Sequence, residues 1–442
     1  MSLLLWGALI ILAATLATIL SCIPGLHIYN VLGALLWLYL SLQATTGISQ
    51  ELLATIIVAM VSAWAIANTI PAVILAAPDE SALLTVLPGQ KMLLAGKGRE
   101  AVMLTAMGSL AALIAIALAM PILPRILPAM YAATRHHTHW ILWAIIAFML
   151  LSEWPKAIPP GRSPLARFLL ANRASAVGLV VFLLSGLLGF VLFFRSPLPY
   201  ANAFQNLMPA FVGLFTLPWL LYNACSNLTP PTQDPPGAPQ TDPAARHLRQ
   251  GALAGILGGG FAAFFPVVTG GIGGMLAGHA TALRNQEAFL VSQGASKSVY
   301  YAGGILLFFV PDLHLTRGGG AWMLQSTVRT GAPHLYWLAG AAALLGGAVA
   351  LLLLSLCTTY TLRIVQKRGY RTVSIAAATA IIGIVTWFSG WMGVGVMIIA
   401  AAIGLLPLLY GTRRMNGLGV ILLPIACSMS GLAPTITRLL HF

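Results

Sequence analysis

The chain has 442 residues, of which 59% are hydrophobic and only 7% are charged. A soluble domain carries roughly 25% charged residues because its surface faces water, so this composition excludes a soluble globular protein and a disordered chain. The remaining class is a polytopic membrane protein. Its 23 lysine and arginine residues outnumber 9 aspartate and glutamate residues, an excess that is typical of cytoplasmic loops in membrane proteins.

The first predicted elements are two apolar segments, residues 3–20 and 26–43, with a short break between them. No lysine or arginine precedes the first segment, so it is predicted to be a retained span and not a signal peptide. The break contains Pro24 and Gly25, which interrupt helices. His27 and Asn30 follow directly, and we expect them to line the break.

The next predicted span, residues 52–77, ends just before two adjacent carboxylates, Asp79 and Glu80. Acidic residues are scarce in this chain, so the pair is predicted to bind a coupling proton or cation or to form ion pairs with Lys91, Lys97 or Arg99. Asp79 is equally suited to cap the short helical run that follows it, and the two roles are compatible. Arg99 lies further along and is a candidate partner for an anion.

Four further spans complete the first half, and a linker follows it. The spans are predicted at residues 100–121, 138–152, 174–194 and 203–223. Residues 224–250 are rich in proline and charge, which indicates an aqueous linker. We therefore predict a first membrane repeat at 1–223, a cytoplasmic linker at 224–250 and a second repeat at 251–442.

The second half begins with an apolar but glycine-rich segment, residues 251–283, that Pro266 divides. Thr269, Gly270 and Gly271 follow the proline. This arrangement matches the break at Pro24, and a broken helix exposes backbone N–H groups that attract anions. The alternative is that the glycines only allow close packing between helices.

Two cations of the second half are candidates for anion binding. Lys297 lies among glycine and hydroxyl residues at 294–298, which we interpret as a turn, and Arg317 precedes three glycines. The alternative for Arg317 is a solvated loop. The remaining spans are predicted at residues 287–310, 334–362, 372–388, 389–410 and 416–436.

Membrane orientation follows from the basic loops at 153–173, 363–371 and 411–415, which we predict to be cytoplasmic. The N-terminus and the C-terminus then lie outside. The two halves have the same order of parts in opposite directions. The sequence therefore predicts an all-α fold of two inverted halves, each of about five to six spans, with broken hairpins meeting near the membrane midplane, as in many secondary transporters.

Several motifs resemble one family of membrane proteins. They are IPGLH at 23–27, APDESAL at 77–83, LPGQK at 87–91, GKGREA at 96–101, PAFVGLF at 209–215 and FLVSQGA at 289–295. Together they resemble the large membrane subunit of the tripartite tricarboxylate transporters. They are most similar to a shorter, stand-alone and functionally unassigned branch of that superfamily, common in archaea.

The resemblance implies a permease whose two broken hairpins hold the substrate. The tricarboxylate branch receives a carboxylate from a periplasmic binding protein and has a small four-span subunit as partner. This chain is shorter, and its second break reads Pro266-Val267 where the family has Pro-Gly. The tricarboxylate and both partner proteins are therefore not carried over to this chain.

These observations leave three hypotheses. The first is a transporter that couples an organic anion to H⁺ or Na⁺. The second is a flippase for a polyprenyl-phosphate lipid carrier, since the Pro-x-x-x-Gly-Gly pattern is similar over a short stretch to hairpins of such translocases. The third is a membrane scaffold without transport activity.

For the first hypothesis, the expected coupling residues are Asp79 and Glu80. The expected substrate-binding residues are Pro24, Gly25, His27, Asn30, Arg99, Pro266, Thr269, Gly270, Gly271, Lys297 and Arg317. We expect a multi-pass protein of the cytoplasmic membrane, surrounded by lipid, with no enzymatic activity, resident metal, cofactor or nucleic-acid partner. A homodimer is compatible with such a chain.

Overall fold

The fold is entirely helical in the part of the chain that the computed structural model describes, residues 3–46, 48–153, 163–198, 207–226, 228–235, 244–281, 285–328 and 332–441. The helices before the proline-rich segment are α1 (Leu3–Leu20), α2 (Ile28–Thr46), α3 (Gln50–Ala67), α4 (Thr69–Ile74), α5 (Val86–Leu94), α6 (Gly98–Ala119), α7 (Leu123–Thr134), α8 (Thr138–Leu151), α9 (Pro164–Phe194), α10 (Leu207–Phe211) and α11 (Leu217–Cys225). Those after it are α12 (Ala245–Phe264), α13 (Gly270–Ala280), α14 (Gln286–Ser298), α15 (Gly304–Leu306), α16 (Gly318–Gln325), α17 (Pro333–Tyr410), α18 (Gly419–Met429) and α19 (Ala433–Leu439). The prediction of an all-α protein is confirmed.

Several of these helices are long and apolar enough to cross a membrane. Within the described residues they are Gln50–Ile74, Gly98–Ala119, Pro164–Phe194, Leu207–Cys225 and Pro333–Tyr410. The segment predicted as one span at 416–436 is instead a bent pair, in which α18 and α19 meet at 115°. Gly431, with φ +71°, lies in the left-handed region at this bend.

Helix α17 has 78 residues and would be about 117 Å long if it were uninterrupted, roughly four times the thickness of a membrane core. Gly369 and Gly390 have φ +78° and +62°. These left-handed residues divide α17 into segments 333–368, 370–389 and 391–410. The basic stretch 363–371 is therefore not the loop that we predicted from its charges, because its residues are helical on both sides of one glycine.

The chain forms two compact units, each built from two separate stretches of sequence. The first unit comprises Met1–Tyr131 and Trp219–Ile381, and the second comprises Ala132–Pro218 and Ile382–Phe442. Each unit thus takes residues from both predicted halves of the chain. All the residues of the candidate site described below belong to the first unit.

The centre of the first unit is the segment Gln50–Ile74, of which 94% of the apolar window is buried. Protein, and not lipid, therefore surrounds this helix. Ser49 begins it by accepting a hydrogen bond from the backbone N–H of Leu52 at 3.2 Å, which satisfies one of the free donors at a helix N-terminus.

Glycines allow several helices of the first unit to approach closely. Gly251, Gly255 and Gly259 of α12 lie over backbone carbonyls of α14, where an added Cβ would be 2.3 to 2.4 Å from each oxygen. The alternative interpretation, close helix packing, is therefore correct for these three glycines. Gly108 of α6 packs in the same way, because its Cβ would lie 1.9 Å from the carbonyl oxygen of Val291.

The second unit contains a buried polar cluster of its own. Glu153 accepts hydrogen bonds from the backbone N–H of Arg413 and from the Nδ2 of Asn416, the latter at 3.4 Å. Arg413 also donates from Nη1 to the Ser152 hydroxyl at 2.7 Å. Arg413 was predicted only as a cytoplasmic anchor, but it also holds helix ends together in this unit.

The described part of the proline-rich segment contacts the first unit. Helices extend to Cys225 and resume at Ala245, so the connection is shorter than the predicted 224–250, and residues 236–243 lie outside the described part. The Gln233 side chain accepts from the Gly98 N–H and donates to the Leu93 carbonyl, both at 2.9 Å. This segment therefore packs against the connection between α5 and α6.

Candidate functional site

The first break in the helices lies between α1 and α2, at the position that the sequence predicted. Pro24 is buried there, and Gly25 has φ +80°, a conformation that suits glycine. His27 directly precedes α2 and is buried, and its backbone carbonyl accepts from the N–H of Asn30 at 3.0 Å. The break thus places an imidazole inside the first unit.

The second break lies between α12 and α13. Val267 follows Pro266 as Gly25 follows Pro24, and it has φ +55°, which is rare for a β-branched residue. Thr269 then caps α13, accepting weakly from the Ile272 N–H at 3.5 Å. The two breaks therefore share a positive φ directly after the proline, although the second lacks the glycine.

The residues after the second break contact other parts of the site. A Cβ on Gly270 would lie 3.0 Å from the Cα of Lys297, and one on Gly271 would lie 3.1 Å from the Ser81 carbonyl oxygen. The Ser296 hydroxyl donates to the Gly270 carbonyl at 2.6 Å. The second break is thus packed between α14 and the loop that carries Asp79 and Glu80.

That loop begins where the central helix ends. Asp79 Oδ1 accepts from the backbone N–H groups of Ser81 and Ala82, both at 3.0 Å, and from the Ser81 hydroxyl at 2.7 Å. The predicted capping role of Asp79 is therefore confirmed. Its other oxygen, Oδ2, faces the site, where it accepts from Asn68 Nδ2 and from the Tyr301 hydroxyl.

Glu80 and His27 form a buried pair. The Nε2 of His27 lies 3.0 Å from Glu80 Oε1. The Tyr301 hydroxyl lies 3.3 Å from both Asp79 Oδ2 and Glu80 Oε1 and 3.4 Å from His27 Nε2. Glu80 Oε2 is buried without a hydrogen-bond partner in the described residues, so the carboxylate retains capacity to accept a proton or contact a cation.

Lys297 is 2% exposed, and neutral side chains solvate its ammonium group. It donates to Asn68 Oδ1 and to the Thr69 hydroxyl, and Asn68 Nδ2 donates to Asp79 Oδ2. Asn68 lies between α3 and α4, so its amide connects the cation of one predicted half to the carboxylate of the other. The turn predicted at 294–298 is wrong, since these residues belong to α14.

The net charge of this cluster depends on His27. The backbone N–H of Tyr29 donates to His27 Nδ1 at 3.2 Å, which fits a neutral imidazole with its proton on Nε2. In that form, with both carboxylates ionised and Lys297 charged, one negative charge is in excess. A buried uncompensated charge is costly, and one bound proton or monovalent cation would neutralise it.

A metal ion is a further possibility to test, because ligand atoms of His27, Asp79 and Glu80 all lie within 4.8 Å of one another. A metal-binding histidine usually donates its other ring N–H to an acceptor. Here Nδ1 faces the Tyr29 N–H donor, and the proton on Nε2 points towards Glu80. The cluster in this arrangement therefore does not fit a transition metal.

A cleft of about 280 Å³, including its open mouth, adjoins this cluster. Its polar lining consists of Tyr29, Tyr300, Tyr301 and Arg317, with small and aliphatic residues around them. Arg317 donates from Nε to the carbonyl of Phe264, the last residue of α12, at 2.8 Å. Its two Nη nitrogens have no hydrogen-bond partner among the described residues, so they are available to an anion.

The structure brings most of the predicted site residues together. The breaks, Asp79, Glu80, Lys297 and Arg317 all lie in or beside the cluster and the cleft. Arg99 does not join them, because its Nη2 donates to the Ser355 hydroxyl of α17 at 2.7 Å.

Four residues of the site were missed by the sequence interpretation, namely Asn68, Thr69, Tyr300 and Tyr301. An isolated Asn-Thr pair inside an apolar span is itself a signal of function and could have identified the first two. Tyrosines within a predicted span are indistinguishable from ordinary packing residues without the fold.

The comparison with protein families agrees with the helical membrane fold. Residues 8–419 match the model of the tripartite tricarboxylate transporter TctA family. The chain belongs to the TctA family. No curated protein and no solved structure matches it.

Membership of the TctA family confirms the resemblance that the motifs indicated. The family is one of membrane components of transporters, so this TctA-family protein is a multi-pass membrane protein and a component of a transporter.

Proposed function

We propose that this TctA-family protein is a secondary transporter of the cytoplasmic membrane that moves an organic anion together with H⁺ or Na⁺. The anion occupies the cleft at Arg317, and the coupling ion binds at Asp79 and Glu80. The observation that carries the proposal is the position of Tyr301. Its ring lines the cleft, while its hydroxyl lies 3.3 Å from both carboxylates.

The role of Tyr301 in coupling follows from its single hydroxyl proton. That proton can be donated to only one acceptor at a time. When a proton or cation neutralises the carboxylates, the hydroxyl is released from them and can turn towards an anion in the cleft. Binding of each ligand then favours binding of the other, which is the reciprocal coupling that secondary transport requires.

We further propose that the two halves, 1–223 and 251–442, are inverted repeats joined by a cytoplasmic linker. The order of elements supports this: in each half a broken hairpin is followed by a long helix, an irregular loop, a short helix and another long helix. Helix contacts between the halves also correspond. Gly108 of α6 packs on Val291 of α14, and Gly346 of α17 packs on Ala59 of α3.

Reconstituted protein in liposomes tests the proposed function. We expect wild-type protein to accumulate a labelled carboxylate only when a proton or sodium gradient is imposed. Tyr301→Phe should still equilibrate the carboxylate but lose the gradient dependence. Tyr360→Phe, which removes the hydroxyl of an exposed tyrosine on α17, is the matched control and should behave as wild type.

Two results would contradict the proposal. One is the absence of carboxylate movement under either gradient, and the other is an unchanged gradient dependence in Tyr301→Phe. Movement of a labelled polyprenyl phosphate between leaflets, without carboxylate transport, would favour the flippase hypothesis.

A further inference from the structure

Resting on the proposed function, we infer that the cleft selects a small carboxylate with one negative charge and an apolar or aromatic body, and rejects tricarboxylates. The inference comes from the distribution of charge around the cleft. Among the described residues that line it, Arg317 is the only cationic one, and the others are three tyrosines and small or aliphatic residues.

Arg317 can bind one carboxylate well. Its Nε is already bonded to the Phe264 carbonyl at 2.8 Å, which fixes the plane of the guanidinium. The two Nη nitrogens remain, and two parallel donors match the two oxygens of a single carboxylate. One anionic group therefore satisfies the arginine completely.

Lys297, the second cation of the site, does not line the cleft. Its ammonium group donates to Asn68 and Thr69. Asn68 in turn donates to Asp79, so the charge of Lys297 is directed towards that carboxylate. A second or third carboxylate of a substrate would find no cation there.

Additional carboxylates would instead meet negative charge. The Tyr301 side of the cleft ends 3.3 Å from oxygens of Asp79 and Glu80. Without the coupling ion these like charges repel strongly, and with the ion bound the extra carboxylates are buried without a cation, so we expect discrimination of at least about 100-fold against a trianion.

The rest of the lining suits an uncharged body. Tyrosine rings offer flat apolar faces, and three of them surround the cleft beside small and aliphatic residues. The 280 Å³ of the cleft includes its open mouth, and the enclosed part is only about 20 Å³, room for about one water molecule. Only a small substrate whose body extends into the open mouth fits it.

Calorimetric titration of the purified full-length protein tests this inference with benzoate, benzamide, succinate and citrate as probes. We expect benzoate to bind and benzamide, the neutral compound of the same shape, not to bind. Citrate should bind at least about 100-fold more weakly than benzoate. This comparison uses only wild-type protein and does not depend on a variant that folds.

Substitution of the arginine gives a second measurement. Arg317→Gln should weaken benzoate binding by about 10- to 100-fold, and Arg317→Lys should lose less. Arg371→Gln removes an exposed arginine of α17 and should leave binding unchanged. The unfolding midpoint of each variant is recorded so that loss of fold is distinguished from loss of binding.

The outcomes separate this inference from the proposed function. If citrate binds more tightly than benzoate and accumulates under a gradient, the function stands and the inference is overturned. Equal benzoate binding by wild type and a folded Arg317→Gln variant also overturns it. If no carboxylate binds or moves, both fail.

Discussion

At the residue scale, the orientation of one amide depends on two opposite charges. Asn68 presents its oxygen to Lys297 and its N–H₂ group to Asp79. Rotation of the amide by half a turn would place a donor against the ammonium and an acceptor against the carboxylate. Asn68 therefore keeps its orientation only while both partners are charged, and it couples them although they are not in direct contact.

A double-mutant cycle on Lys297 and Asp79 measures this coupling. Lys297→Met should lower the free energy of unfolding by about 3–5 kcal/mol, because it leaves Asp79 buried without its cation. Adding Asp79→Asn should recover part of the loss, with a coupling energy of at least about 0.5 kcal/mol. Denaturant unfolding in detergent of wild type, the two single variants and the double variant gives the four free energies of unfolding. If the double variant loses the sum of the two single losses, the coupling energy is zero and the link through Asn68 is contradicted.

The strained backbone of Val267 makes a second prediction. Val267→Gly should raise the free energy of unfolding by about 0.5–1 kcal/mol, because glycine adopts the positive φ without steric cost. The matched control is Val268→Gly, at a buried neighbour with ordinary φ, which should be destabilising. Thermal unfolding of the purified proteins provides the comparison. A loss of stability in Val267→Gly equal to that of the control would disprove the strain.

At the scale of helices, the first unit depends on backbone contacts that only glycine allows. On α6 and α14 the contact is reciprocal: a Cβ on Gly108 would lie 1.9 Å from the Val291 oxygen, and one on Gly294 would lie 1.9 Å from the Thr105 oxygen. These helices come from different predicted halves of the chain, so the contact also joins the two halves.

Addition of one methyl group tests the contact. Gly108→Ala and Gly294→Ala should each lower the free energy of unfolding by about 1–3 kcal/mol, because the helices must separate. Gly383→Ala, where nothing lies within 4 Å, should be neutral or slightly stabilising, since alanine is the better helix former. Unfolding midpoints in one detergent rank the three variants. A midpoint for Gly108→Ala as high as that of Gly383→Ala would refute the close approach.

The sequence predicted the breaks in the helices well because their causes are local. Proline lacks a backbone donor wherever it stands, so Pro24 and Pro266 identified both breaks without knowledge of the fold. The adjacent carboxylates at 79–80 were found because acidic residues are rare in an apolar chain. Such signals require no information about distant contacts.

Contacts between distant residues could not be predicted in the same way. Arg99 was expected beside the site, but its partner is Ser355, far along the chain. Lys297 was interpreted as part of a turn because Gly294 and two serines, Ser296 and Ser298, lie beside it, and such residues commonly favour turns. In the structure these residues are part of α14, which packs closely against α6 and α12. The contacts with these helices outweigh the local preference of the residues for a turn.

At the scale of the whole molecule, each unit combines segments from both halves of the chain. The first stretch of each half contributes to one unit and the remaining stretch to the other. Such exchange is expected of repeats that arose from one ancestral half, because each copy then supplies the same parts. The candidate site takes Asp79 from one predicted half and Lys297 from the other.

The proposed orientation places the linker in the cytoplasm, and the accessibility of the Cys225 thiol from each side of the membrane tests this orientation. Cys225 is exposed at the end of α11. In a variant whose other three cysteines are serine, a membrane-impermeant maleimide should label Cys225 in inside-out vesicles and not in intact cells. Labelling after membrane permeabilisation confirms that the thiol is reactive. Labelling of intact cells would reverse the orientation.

The hydrogen bond from Arg317 to Phe264 has a mechanical consequence. Arg317 Nε donates to the carbonyl of Phe264, the last residue of α12, and the arginine also lines the cleft. A displacement of the broken hairpin therefore moves the group that holds the anion, and a bound anion resists that displacement. A bound anion thus restrains the end of α12 through Arg317, in addition to any contact with Ala263, the α12 residue that lines the cleft.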